Sequence, residues 1–171
     1  MSRLSATPKN QVPPECQSQY ANVTKDGSEL ANTFKALFCN LEVASKLANL
    51  DEIIAQGDLE IWIKFTVALA VCHECNNQVV WRSMERQARK SGVSDAVING
   101  IAAGSEARGL LPKEGIWVQF TLEVIRNQMR DSTWRAVTHL IGDAGAISVA
   151  MAACYYEMMC RLNSSFGLDA A

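Results

Sequence analysis

From about residue 28 onward, apolar residues return every three or four positions, the spacing that gathers them on one face of a helix. Leu30, Phe34, Leu37, Phe38 and Leu41 form the first such series, with Ser28 placed as its N-cap, and predict a helix over about 28–39. Val43, Leu47, Leu50 and Ile54 continue the pattern over about 41–56, where Gly57 stops it. Asp58 is then a candidate cap for the longest pattern in the chain, which runs through Ile61, Phe65, Ala68, Leu69 and Cys72 towards Lys90. The Asn76-Asn77 pair is the place where it can break, because asparagine bonds its own backbone in competition with the helix. Ser94 caps a short helix ending near Gly104, and Pro112 with Gly115 marks a connection before Trp117, Phe120, Val124 and Ile125. Asp131 or Ser132 caps a helix through Trp134, Val137 and Leu140. The turn Gly142-Asp143-Ala144-Gly145 leads into a last apolar helix to Phe166.

No stretch alternates β-branched or aromatic residues with polar ones over five or more positions, so the fold class is all-α. Residues 1–27 hold three of the four prolines, including Pro13-Pro14, and end in Lys25-Asp26-Gly27; lacking any apolar period, they read as an arm ahead of a helical domain over 28–171. The helices expected at 58–75 and 145–162 are apolar on more than one face, and a subunit interface is the expected cover, which predicts a homodimer or larger homo-oligomer.

Composition narrows the choice of function. With 49% hydrophobic and 20% charged residues the chain is apolar enough to bury a core. A net charge of −2, with the basic residues scattered, offers no basic face to nucleic acid. No run of about 18 uninterrupted apolar residues predicts a membrane span, and residues 1–10 lack the apolar run of a signal peptide, so the expectation is a cytoplasmic protein that engages no membrane. The six cysteines fall mostly inside apolar helical patterns, which predicts buried free thiols.

One stretch carries a resemblance. Trp81-Arg82-Ser83-Met84-Glu85-Arg86-Gln87-Ala88-Arg89-Lys90-Ser91-Gly92-Val93-Ser94, followed by Asp95-Ala96-Val97-Ile98, is similar to the segment of carboxymuconolactone decarboxylase and alkylhydroperoxidase D-like proteins where an aromatic residue precedes a histidine and then a small-Gly-Val-Ser junction. Asn32 to Leu37, Arg130 to Trp134 and Tyr155 to Leu162 with Phe166-Gly167 agree in order, so the resemblance spans roughly 28–168. It implies a helical bundle of that family's kind, associating through its central helices, with a pocket lined by the central helix.

On that register the family's histidine falls at Met84, its carboxylate or second cysteine at Val80 and its first cysteine at Asn77. None of these side chains does the family's proton or thiol chemistry. On an unbroken helix residues 73, 77, 80 and 84 lie within about 40° of one another. That puts His73 on the pocket stripe, as an acid–base group whose tautomer Glu74 or a carbonyl would fix; a core or interface histidine is the alternative. If the helix breaks, Asn77 gains weight as an amide at a helix start able to bond a substrate oxygen. Val80, Trp81 and Met84, with Tyr155 and Tyr156 from the last helix, are the expected substrate walls.

Cys72 and Cys75 make a Cys-X-X-Cys spacing, but five residues ahead of the family pair, a rotation of about 140°. They read as structural, or as a displaced thiol peroxidase. No distant ligand pair completes a metal site with Cys72, His73 and Cys75, so neither metal nor cofactor is expected. His139 is placed to favour a helix C-terminus. The leading expectation is a cofactor-independent lyase or isomerase that acts on a small unsaturated, lactone-like or polyketide-like compound through an enolate, with His73 and Asn77 catalytic. The alternatives are a non-catalytic oligomeric binding or accessory protein and the displaced peroxidase.

Overall fold

The computed structural model describes residues 2–25, 28 and 30–168, and among them there are eight α-helices and no strand. The chain is all-α. It divides into two compact units, Met1–Gly57 with Arg161–Ala171, and Asp58–Cys160.

The first unit holds α1 (Gln17–Thr24), α2 (Ala31–Leu37) and α3 (Leu41–Gln56), which pack on one another. The N-terminal stretch is thus not a bare arm. Tyr20 and Val23 of α1 are buried, Tyr20 meets the edge of Phe38 at 4.9 Å between ring centres, and its hydroxyl donates to the Thr7 carbonyl at 2.6 Å. Asp26 and Gly27 of the expected terminal turn lie outside the described residues. Ser28 does not cap α2: Leu30 holds that position, and the Ser28 hydroxyl donates instead to the Val23 carbonyl. By contrast, α3 has the predicted bounds, with Asn40 capping it through the Val43 N–H and Gly57 ending it.

In the second unit α4 (Ile61–Glu74) packs against α5 (Gln78–Lys90), α6 (Asp95–Ala102) and α7 (Pro112–Ile125). Nine of its residues are buried. It starts after Glu60 and not at an Asp58 cap. Pro112 and Gly115 lie within the first turns of α7; proline at the first helical position loses no hydrogen bond, since that N–H has no helical partner anyway. The last element, α8 (Asp131–Ser165), is interrupted at Gly142, whose φ of 72° and ψ of 173° are not helical. The expected turn is therefore a one-residue break. By length and composition α8 is able to cross a membrane, with an 18-residue window of mean hydropathy 1.4, and Leu140, Ile147 and Met151 are about half exposed along it.

Candidate functional site

The decisive local event is the break between α4 and α5. Asn76 takes the left-handed conformation at φ 52°, which asparagine tolerates better than most residues, and the chain leaves α4. Asn77 then caps α5: the Val80 N–H donates to its side-chain oxygen at 3.0 Å, and its side-chain amide donates to the Cys160 carbonyl at 3.3 Å. Because the helix is not continuous, the stripe of residues 73, 77, 80 and 84 does not exist as one face. The Asn77 side chain is fully buried, with both ends engaged in holding α5 and α8.

Val80 and Met84 are each 1% exposed, and Tyr155 is 2% exposed; Trp81 and Tyr156 are buried as well. These residues are core. Trp81 donates its indole N–H to Glu85 at 3.0 Å, and Tyr155 and Tyr156 meet edge to face at 5.4 Å. Of the predicted site residues, His73 lines a recess at the end of α4.

The recess, of about 50 Å³, lies between the end of α4, the loop after α6 and the middle of α7. His73 lines it with Glu74, Gly104, Glu106 and Arg126, over an apolar floor that includes Ala70, Val118 and Leu122. The imidazole stands edge-on to Trp81 at 6.2 Å between ring centres. Gly104 has φ of 66°, the left-handed conformation that favours glycine, and its turn passes beside His73 Nε2, which a Cβ there would meet at an ordinary contact distance of 3.5 Å.

Beside the recess, and sharing Glu106, Leu122 and Arg126 with it, lies a cleft of about 690 Å³ walled also by Arg108, Gln119, Glu123 and Arg130. Glu106 is paired with Arg126 and Glu123 with Arg130, while Arg108 donates to the Ser105 carbonyl at 3.4 Å. Arg126 donates through Nε and Nη2 to the two oxygens of Glu74, at 2.7 and 2.8 Å, and through Nη1 to Glu106 at 2.8 Å. The bond from Arg126 is the main reason the Glu74 carboxyl is held below its ordinary range. Both oxygens of Glu74 thus accept from Arg126, and the neighbouring His73 adds a smaller effect in the same direction. At Glu123, burial pushes the carboxyl up, but bonds from Arg130 Nε at 2.7 Å, Arg130 N–H, Thr133 and Gln119 outweigh it and hold the group low.

The Cys-X-X-Cys residues differ in exposure. Cys72 is fully buried, and its sulfur lies 3.7 Å from that of Cys160 on α8. The bond to Cys72 drives the Cys160 thiol far above the ordinary thiol range, opposed by Cys75 and reinforced by burial. Cys75 is half-buried, and none of the six cysteines is in a disulfide. Among the described residues no group of three His, Cys, Asp or Glu is arranged to hold a metal. His139 is exposed.

Gly104, Glu106 and Arg126 carry no sequence signal that marks them as neighbours of His73. The Glu74–Arg126 pair joins residues 52 positions apart and exists only once α4 and α7 pack. Comparison with known proteins adds nothing to this geometry. No family model, no curated protein and no solved structure matches the chain. The resemblance to carboxymuconolactone decarboxylase-like proteins rests on the residues quoted for it alone.

Proposed function

We propose that this chain is a cofactor-independent lyase or isomerase for a small carbonyl or carboxylic compound, with His73 as the acid–base group, and that the site lies between α4, the α6–α7 loop and α7. The observation that carries the reading is the position of His73 in a recess that adjoins the larger cleft. Volume divides the labour. At about 30 Å³ per water, a 50 Å³ recess holds one or two small groups, whereas 690 Å³ falls in the range of small-molecule sites. The body of a substrate therefore occupies the cleft, and only its reacting carbon and carbonyl reach the imidazole. Decarboxylation, isomerisation and cyclisation of such compounds share an enolate, whose protonation needs one group able to give and take a proton near neutrality. The apolar floor beneath His73 suits the unsaturated or alkyl part of such a compound.

Because every one of these reactions passes through an enolate, deuterium exchange tests the class without a known substrate. A panel of β-keto acids, unsaturated lactones and β-dicarbonyls incubated with the protein in D2O is followed by NMR for label at the carbon next to the carbonyl. Wild type accelerates exchange for at least one compound, and His73→Ala loses that acceleration while keeping its melting temperature. No acceleration anywhere, or equal rates in both proteins, sinks the proposal.

The packing of Asn77, Val80 and Met84 favours a second reading, a non-catalytic binding or accessory protein whose family site has been filled. The same experiment separates the two, since that protein binds compounds from the panel without exchanging their protons. Association of copies has its support in the exposed Leu140, Ile147 and Met151 of α8.

A further inference from the structure

We propose that Glu106 is a displaceable internal stand-in for a substrate carboxylate: its side chain occupies the outer edge of Arg126, and a ligand carboxylate takes that edge when Glu106 leaves. The inference rests on the site proposed above and names the class of compound admitted there.

Arg126 has two edges with different partners. Glu74 bonds one edge through two parallel hydrogen bonds, the strong fork arrangement, while Glu106 bonds Nη1 alone. Glu106 is the weaker partner and the more exposed one, its side chain at 47% against 34% for Glu74. It lines both the recess and the cleft, so it stands where the two meet.

Its backbone points the same way. Glu106 has φ of 55°, left-handed for a residue without asparagine's tolerance of that region, and such strain gathers at ligand clamps and switches. Gly104 at φ 66° and Gly109 at φ 80° bracket it, so the short segment between them is anchored at both ends by residues that change backbone conformation cheaply. Rotation of the half-exposed Glu106 side chain about its own bonds is enough to carry the carboxylate away from Arg126.

The two edges of Arg126 explain why displacement is required. With Glu74 and Glu106 both in place, both edges of the Arg126 guanidinium are taken, and an incoming carboxylate finds no free edge on it. With Glu106 gone, the remaining pair is neutral and its Nη1 edge accepts one carboxylate, restoring the same count. A neutral ligand gains nothing from the exchange. The compound favoured is thus a small carboxylate with an apolar portion, its carboxyl on Arg126 and its reacting carbon towards His73.

Hexanoate and its neutral counterpart hexanamide are the probes, titrated into the intact protein by NMR. Glu106→Gln lies on an exposed loop and removes the competing charge, so hexanoate binds it about three- to fivefold more tightly than wild type, in line with loss of a surface ion pair, while hexanamide affinity stays the same. Arg126→Gln loses the preference for the acid over the amide, and Glu106→Gln retains a native melting temperature. Equal hexanoate affinity in wild type and Glu106→Gln, or a parallel gain for hexanamide, overturns the inference. The two proposals fail separately: His73-dependent exchange with no Glu106 effect removes only this inference, and a Glu106-controlled carboxylate preference without exchange removes only the enzyme reading.

Discussion

Asn77 offers the sharpest test of whether this region is architecture or chemistry. Its side-chain oxygen accepts the Val80 N–H at 3.0 Å and its amide donates to the Cys160 carbonyl at 3.3 Å, inside a fully buried site. Asn77→Ala leaves the Val80 N–H without its partner among residues that exclude water. Loss of an N-cap costs about 0.5–2 kcal/mol, and a buried unsatisfied donor about 1–3 kcal/mol. These describe the same N–H and are not summed. With a small void where the amide was, the expected loss is about 2–3 kcal/mol, which lowers the melting temperature by roughly 4–12 °C for a chain of this size. Urea denaturation reads it as a lower midpoint at unchanged slope.

Asn77→Asp refines the test. It keeps the capping oxygen but replaces the donor to the Cys160 carbonyl with a second acceptor. Burial raises the introduced carboxyl above its unfolded value of about 3.9. A group with a raised folded pKa contributes stability that is present below the unfolded pKa and is lost as pH rises through the folded one. This variant therefore approaches wild type near pH 3–4, where the protonated carboxyl again donates, and falls behind it towards neutrality. An Asn77→Ala protein within about 0.5 kcal/mol of wild type, or an Asn77→Asp protein whose deficit is flat with pH, refutes the capping argument.

Two further outcomes follow from the charge and thiol networks. The Glu123 carboxyl is held below its unfolded range, so its contribution is present above that range and is lost as pH falls through the folded value; Glu123→Gln is less stable than wild type at pH 6–7, and the gap closes by about pH 3 in denaturation midpoints. A gap independent of pH contradicts the assignment. With a chromogenic disulfide reagent, Cys39 and Cys154, which are exposed, react at once, and the buried Cys72 and Cys160 react only on unfolding. Peroxide leaves Cys72 unlinked to Cys75 by mass spectrometry, and a Cys72–Cys75 disulfide would restore the peroxidase reading.

Helices were legible where a period, a cap and a stop agreed. Leu41–Gln56 has all three, in the spacing of its apolar residues, Asn40 and Gly57, and Ser94 caps α6 by accepting the Val97 N–H. The helix Gln17–Thr24 was not legible, because Tyr20, Val23 and Thr24 are its only buried residues and two turns are too few to show a period. Pro112 was misplaced for a different reason: proline begins helices as readily as it ends them, and only the following residues decide. At Asn76-Asn77 both outcomes were readable, and the choice depended on a tertiary bond from Asn77 to Cys160, 83 residues away.

The same asymmetry explains the site. A family resemblance transfers positions along a helix, and it led to Asn77, Val80 and Met84, three residues that the fold uses as core and cap. His73 was found for an insufficient reason, since the continuous stripe that recommended it is broken one turn later. It remains the candidate because the break itself ends α4 at a cavity edge, where Glu74 reaches Arg126. With the helix broken, Asn77, Val80 and Met84 are buried, and the recess stands at the same end of α4 as the break, beside His73. Variants at Val80 or Met84 should move stability, and variants at His73 or Glu106 should move binding and proton exchange.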